Sequence, residues 1–158
     1  MWNNKGFTLV ELLVAATIIG ILAVFATAHF RNSAAETRWT QAKAKADQLA
    51  YAIERAKKDY PGITFSTQSL GTTSNKSCTI RPNQTLDLTS LIACGYMENV
   101  GDTYFEYFSC DNLSDTDCSG GSGRYQAMVK AKDGAKLPSD YKNFKYYTSS
   151  FGGNKEVR

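Results

Sequence analysis

The feature that most constrains this chain is a run of residues without charge. From Leu12 to Ala28 no Lys, Arg, Asp or Glu occurs, and Glu11 is the sole charged side chain between Lys5 and Arg31. As a helix, Phe7 to Phe30 spans about 36 Å, enough to cross a bilayer core of about 30 Å. Lys5 and the amino terminus lie on the short side. The positive-inside rule therefore puts the start of the chain in the cytoplasm and everything after Phe30 outside. A secretory signal peptide is the competing reading, with Ala26-Thr27-Ala28 as its cleavage site. The run is longer than the usual ~7–15 apolar residues and Glu11 interrupts its start, which argues against that reading. A plain single-pass anchor explains the length but not the carboxylate.

The residues beyond the run extend the helix. No proline stands between Phe7 and Tyr60, and good helix formers dominate from Ala34 to Lys58. An unbroken helix of roughly 80 Å is expected, ended by Pro61-Gly62. Its outer half is amphipathic. Trp39, Ala42, Ala46, Leu49, Ile53, Ala56 and Tyr60 recur every three or four residues, so they form one stripe against which a globular head packs.

Lys5-Gly6-Phe7-Thr8-Leu9-Val10-Glu11-Leu12 resembles the processing site of type IV prepilins and pseudopilins: a short basic leader ending in glycine, a cut before phenylalanine, then glutamate as the fifth mature residue. The resemblance implies a leader over residues 1–6 and a transmembrane and polymerisation helix over 7–30. An amphipathic helix over 31–60 and a globular head over 61–158 complete the chain. It implies cleavage between Gly6 and Phe7 by a prepilin peptidase, N-methylation of Phe7, and pairing of Glu11 with the Phe7 amine of a neighbouring subunit. An acid in a transmembrane helix costs about 2.5–3.5 kcal/mol on insertion scales, and a partner recovers part of that only when another subunit stands in register. Where many relatives have a proline, this chain has Ala28, so no kink is expected there. Gly20 remains the weak point of the helix.

The implied product is a homo-oligomeric helical filament, raised by inner-membrane assembly machinery from a single-pass precursor. It ends as an extracellular filament or a periplasmic pseudopilus. Major pilin, minor pilin and secretion pseudopilin are not separated by these residues. A filament-borne module that binds DNA or a surface is the alternative from another class.

The head reads as the β part of an α+β fold. Residues 63–83, rich in Ser, Thr, Asn and Gly, are expected as a loop, and Leu88 to Tyr96 as a short helix ended by Gly95. Tyr104–Phe108, Arg124–Ala131 and Lys142–Thr148 are strand candidates within an antiparallel sheet of about 3–4 strands. Tyr125, Ala127, Val129 and Ala131 are expected on one face, with Phe144 and Tyr146 likewise sharing a face.

All four cysteines fall in the exported part, and an even number in an oxidising compartment points to disulfides. Cys78–Cys94 and Cys110–Cys118 are preferred because they close short loops, though four cysteines allow three pairings. Zinc is disfavoured, since there is no CxxC pair and the sole histidine, His29, lies at the membrane edge. Asp111, Asp115 and Asp117 are weak candidates for calcium. Their spacing is not that of an EF-hand, and a solvated acidic loop is the preferred reading, with no cofactor.

The net charge of +3 does not by itself imply a nucleic-acid partner. Charge in the head is polarised, however. Six acids and no Lys or Arg lie between Glu98 and Cys118, against eight basic and three acidic residues from Arg124 to Arg158. This pattern suits contacts between subunits. Basic residues interleaved with Tyr141, Tyr146 and Tyr147 would also suit DNA, but a solvated surface is favoured. No constellation suggests catalysis, and the chain is not expected to be an enzyme.

Overall fold

The computed structural model describes residues 7–70, 77–99, 101–111, 118 and 125–158, with the backbone alone at Ala28. Contacts divide the chain into two compact units, Met1–Thr37 and Arg38–Arg158. Helix α1 runs Leu9–Asp59, 51 residues, without a break at Gly20 or Ala28. It ends where the sequence demands. Lys57 and Lys58 complement the carboxyl end of the helix dipole. Pro61 cannot continue the ladder, and Gly62 turns the chain at φ +80°.

In the second unit, Trp39, Ala42, Ala46, Leu49, Ile53 and Ala56 of α1 are fully buried, and Tyr60 packs partly buried at the end of the same stripe. Three of these are alanines, and large side chains, Trp39 and those of the sheet, fill the space between helix and sheet. Strands β3 (Phe105–Ser109), β4 (Ala127–Ala131), β5 (Lys145–Thr148) and β6 (Asn154–Val157) form an antiparallel meander in sequence order. They come after a two-residue parallel pair, β1 (Thr64–Phe65) with β2 (Thr85–Leu86), and a short helix α2 (Thr89–Ala93). The fold is α+β, as expected.

One face of the sheet supplies Phe105, Tyr107, Ala127, Val129, Ala131 and Tyr146 to the core shared with α1. Trp39 anchors it, its ring centroid 5.4 Å from that of Phe105 and 5.7 Å from that of Phe144. Burying each large apolar side chain contributes about 1.5–3 kcal/mol. The other face carries a smaller cluster of Phe108, Met128 and Tyr147 with Cys110 and Cys118, edged by Tyr125 and Val157.

Several expectations shift in detail. β4 starts at Ala127. β5 starts at Lys145, because Ser139–Tyr141 after Pro138 coil into a 3₁₀ turn. Tyr125 lies before the paired ladder and packs with Tyr147, centroids 5.7 Å apart, in the cluster opposite to that of Ala127 and Val129. Within the expected loop, Thr64–Phe65 form β1. The polar edge strand β6 has no apolar alternation to announce it. α2 is shorter than its expected segment, with Gly95 just beyond it at φ +73°.

Candidate functional site

In the first unit the side chains of the apolar segment face outward. An 18-residue window of α1 has a mean hydropathy of 2.6, and none of it is buried. Phe7, Leu9, Val10, Leu12 and Leu13 are exposed, and so are Ile18, Ile19, Ile21, Leu22, Val24 and Phe25. A contiguous apolar surface of this size is not stable in water. It calls for lipid or for other protein.

Its few polar groups are satisfied within the helix. Thr17 Oγ1 donates to the carbonyl of Val14 at 2.8 Å, and Thr27 Oγ1 to that of Val24 at 2.9 Å. At the start, Thr8 and Glu11 form a capping box. The Thr8 N–H and hydroxyl both donate to Glu11 Oε2, at 3.0 and 2.9 Å, and the Glu11 N–H donates to Thr8 Oγ1 at 3.3 Å. Two otherwise unpaired donors at the helix start are thereby satisfied. The T-x-x-E spelling of Thr8 to Glu11 was a readable signal for this cap, and reading Glu11 by its charge alone missed it. The exposed ring of Phe7 lies immediately before the box. Gly6 lies outside the described residues.

In the second unit, Cys78 joins Cys94 and Cys110 joins Cys118. Cys94 is the residue that caps α2, so the first bond fastens that helix to the chain before β2. Asp111 is engaged within the chain. Its carboxylate pairs with Lys57 of α1 and accepts the Phe65 N–H at 3.0 Å. Asp115 and Asp117 lie outside the described residues, and among those described no cluster of three metal-ligating side chains occurs.

Three acids of the acidic segment form ion pairs within the chain. Asp102 meets Lys45 at 3.2 Å, Glu106 meets Lys130 at 3.8 Å, and Asp111 takes Lys57. Asp102 also accepts the Tyr107 hydroxyl at 2.9 Å. Glu156 of β6 takes the Trp39 indole N–H at 3.0 Å and Lys43 at 3.2 Å, and Asp47 accepts hydroxyls from Tyr146 and Thr148 of β5 at 3.0 and 2.6 Å. These carboxylates tie helix to sheet. Burial raises the phenol pKa of Tyr107, and the charge of Asp102 raises it further. Burial, with the charge of Asp47, also raises Tyr146. For Glu156, burial pushes the pKa up, but hydrogen bonds from Trp39, Lys43 and Arg158 outweigh it and hold the carboxyl below its usual range. Sequence reasoning missed the links from α1 to the sheet because their partners lie 54 to 117 positions apart.

A family model described as the prokaryotic N-terminal methylation motif matches residues 3–27. The amino-terminal segment is type IV prepilin-like. This prepilin-like segment contains both the capping box and most of the exposed apolar surface. The chain is similar to a fimbrial protein of Pseudomonas aeruginosa, 42% identical over 56 residues that cover 35% of this chain and 36% of the relative. It is also similar to the type IV major fimbrial protein FimA of Dichelobacter nodosus, 36% identical over 73 residues and 46% of each chain. The matched stretches thus span about a third to a half of these curated relatives. No solved structure matches the chain.

Proposed function

We propose that the chain is a structural subunit of a type IV pilus-like filament. The observation that carries this reading is the prepilin-like start joined to an apolar helical surface with no cover of its own. Before assembly the segment lies in the inner membrane, with residues 1–6 in the cytoplasm. A prepilin peptidase cuts Gly6–Phe7 and the new Phe7 amine is methylated. Assembly machinery then moves the segment from lipid into a filament core built of its own kind. The relatives' names favour a fimbrial filament over a secretion pseudopilus.

Within that core, Glu11 receives the Phe7 ammonium of a neighbour. A carboxylate accepts about four hydrogen bonds, so the two donated by Thr8 leave room for this partner. The new amine is mostly protonated at neutral pH. An uncompensated charge in a dry core is costly, and pairing favours the one register in which it is met. The role is structural and requires no cofactor. The test is to shear surface filaments from cells, identify their main protein and weigh its amino-terminal peptide. A methylated chain starting at Phe7 in those filaments is expected. Finding the protein only as a soluble chain that begins after Ala28 would overturn the reading.

A further inference from the structure

Among the described residues of the unit Arg38–Arg158, two large apolar side chains stay exposed: Tyr51 at 59% and Phe151 at 78%. Neither covers the other, and each sits in a distinct setting. Tyr51 lines an open groove of about 490 Å³ with Gln48, Ala52 and Arg55 of α1 and with Tyr96, Met97 and Glu98 beyond α2. Phe151 is at the tip of the β5–β6 hairpin.

We propose that the groove receives Phe151 from a second copy of this chain. The groove holds the main chemistries that bind an aromatic ring. Tyr51 and Tyr96 offer rings, Met97 a thioether, and Arg55 a guanidinium already 5.9 Å from the centroid of Tyr96. The Tyr96 hydroxyl donates to Asp59 at 2.8 Å, which fixes that wall. Its phenol pKa is pushed up to about 12, mostly by burial and then by Asp59, so it stays neutral in any physiological medium.

The knob is equally fixed. The Ser149 N–H donates to the carbonyl of Gly153 at 3.1 Å, the Gly152 N–H to that of Ser149 at 3.2 Å, and the Ser150 N–H to Gln126 Oε1 at 3.0 Å. Gly152 and Gly153 take φ values of +79° and +135° that other residues rarely adopt. The backbone that carries the ring therefore has little ordering left to do on binding. Charge agrees with the pairing: exposed Glu98 stands at the groove, and exposed Lys155 lies just past the hairpin tip.

Knob and groove are different patches of one chain. Such a contact is heterologous, and unless its rotation closes a ring it repeats into an open helix. The inference rests on the filament reading and adds to it a named contact between heads.

A photo-crosslinking phenylalanine analogue at position 151 of the full chain tests it in sheared filaments. Crosslinks to peptides carrying Tyr51–Arg55 or Tyr96–Glu98 of a neighbour are expected. In parallel, Phe151→Ala and Tyr51→Ala should each lower the yield of sheared filament roughly tenfold, with the double variant no worse than either, as touching residues behave in a double-mutant cycle. Filaments whose crosslinks fall elsewhere, or losses that simply add, would overturn the contact and leave the filament reading standing. If the wild-type chain forms no filament, both fall.

Discussion

Replacing Thr8 by alanine removes the hydroxyl that meets Glu11 but leaves the Thr8 N–H bond to the same carboxylate possible. The cap weakens by about 1 kcal/mol and the acid survives. Replacing Glu11 by leucine removes cap and charge together, and with them the partner proposed for a neighbour's Phe7 amine. Losing one member of a buried pair costs about 3–5 kcal/mol, or about two to three and a half decades per added subunit at about 1.4 kcal/mol each. Thr8→Ala is therefore expected to assemble near wild-type levels, and Glu11→Leu to fail while still inserting in the membrane. The measurement is sheared filament relative to membrane-held subunit, with processing checked at Gly6. Equal losses in the two variants would reduce Glu11 to a helix cap.

At the scale of elements, the turn from α1 into β1 is tightly specified. A Cβ on Gly62 would stand 1.9 Å from Asn83 Oδ1, and Gly62 also holds φ +80°. Gly62→Ala should cost at least about 1–2 kcal/mol from the backbone alone, with the contact on Asn83 adding to it. Asn83→Gly, at a position that is itself at φ 59°, should relieve the contact and leave only the backbone part in the double variant. Thermal unfolding of the four proteins in detergent measures this. The stop at Pro61-Gly62 was legible in the sequence, as was the stripe from Trp39 to Ala56, because both depend on neighbours along the chain. The strands were legible as aromatic or alternating runs, but not their starts, since a 3₁₀ turn before β5 competes with extension. β6 was hidden because an edge strand stays polar. The candidate site divides the same way. Its apolar run, Gly6–Phe7 junction and Glu11 are local signals, whereas Asp111 looked like a solvated acid until the fold brought Lys57 to it.

For the whole molecule, stability is expected to fall at both ends of the pH scale. Glu156 has a depressed pKa in the fold, so it stabilises above the usual carboxylate range and loses that contribution as pH falls through its folded value. Tyr107 and Tyr146 have raised values, so their contribution is complete below about pH 10 and lost as pH rises beyond it. Glu156→Gln should flatten the acid limb and Tyr107→Phe the alkaline limb of a denaturation midpoint plotted against pH. Opening Cys78–Cys94 by substituting both residues with alanine should cost about 3 kcal/mol, since it releases a loop of comparable length to those for which that figure holds. The midpoint of chemical unfolding reads it. The carboxylates that fasten α1 to the sheet have a mechanical consequence. Lys43 and Trp39 hold β6, Lys45 holds the entry to β3, Asp47 holds β5, and Lys57 holds the exit from β3. Tension applied along this stretch of the helix strains those ties side by side instead of one after another. The head then resists as a bolted joint does, failing at the combined strength of its fastenings and not at the weakest of them.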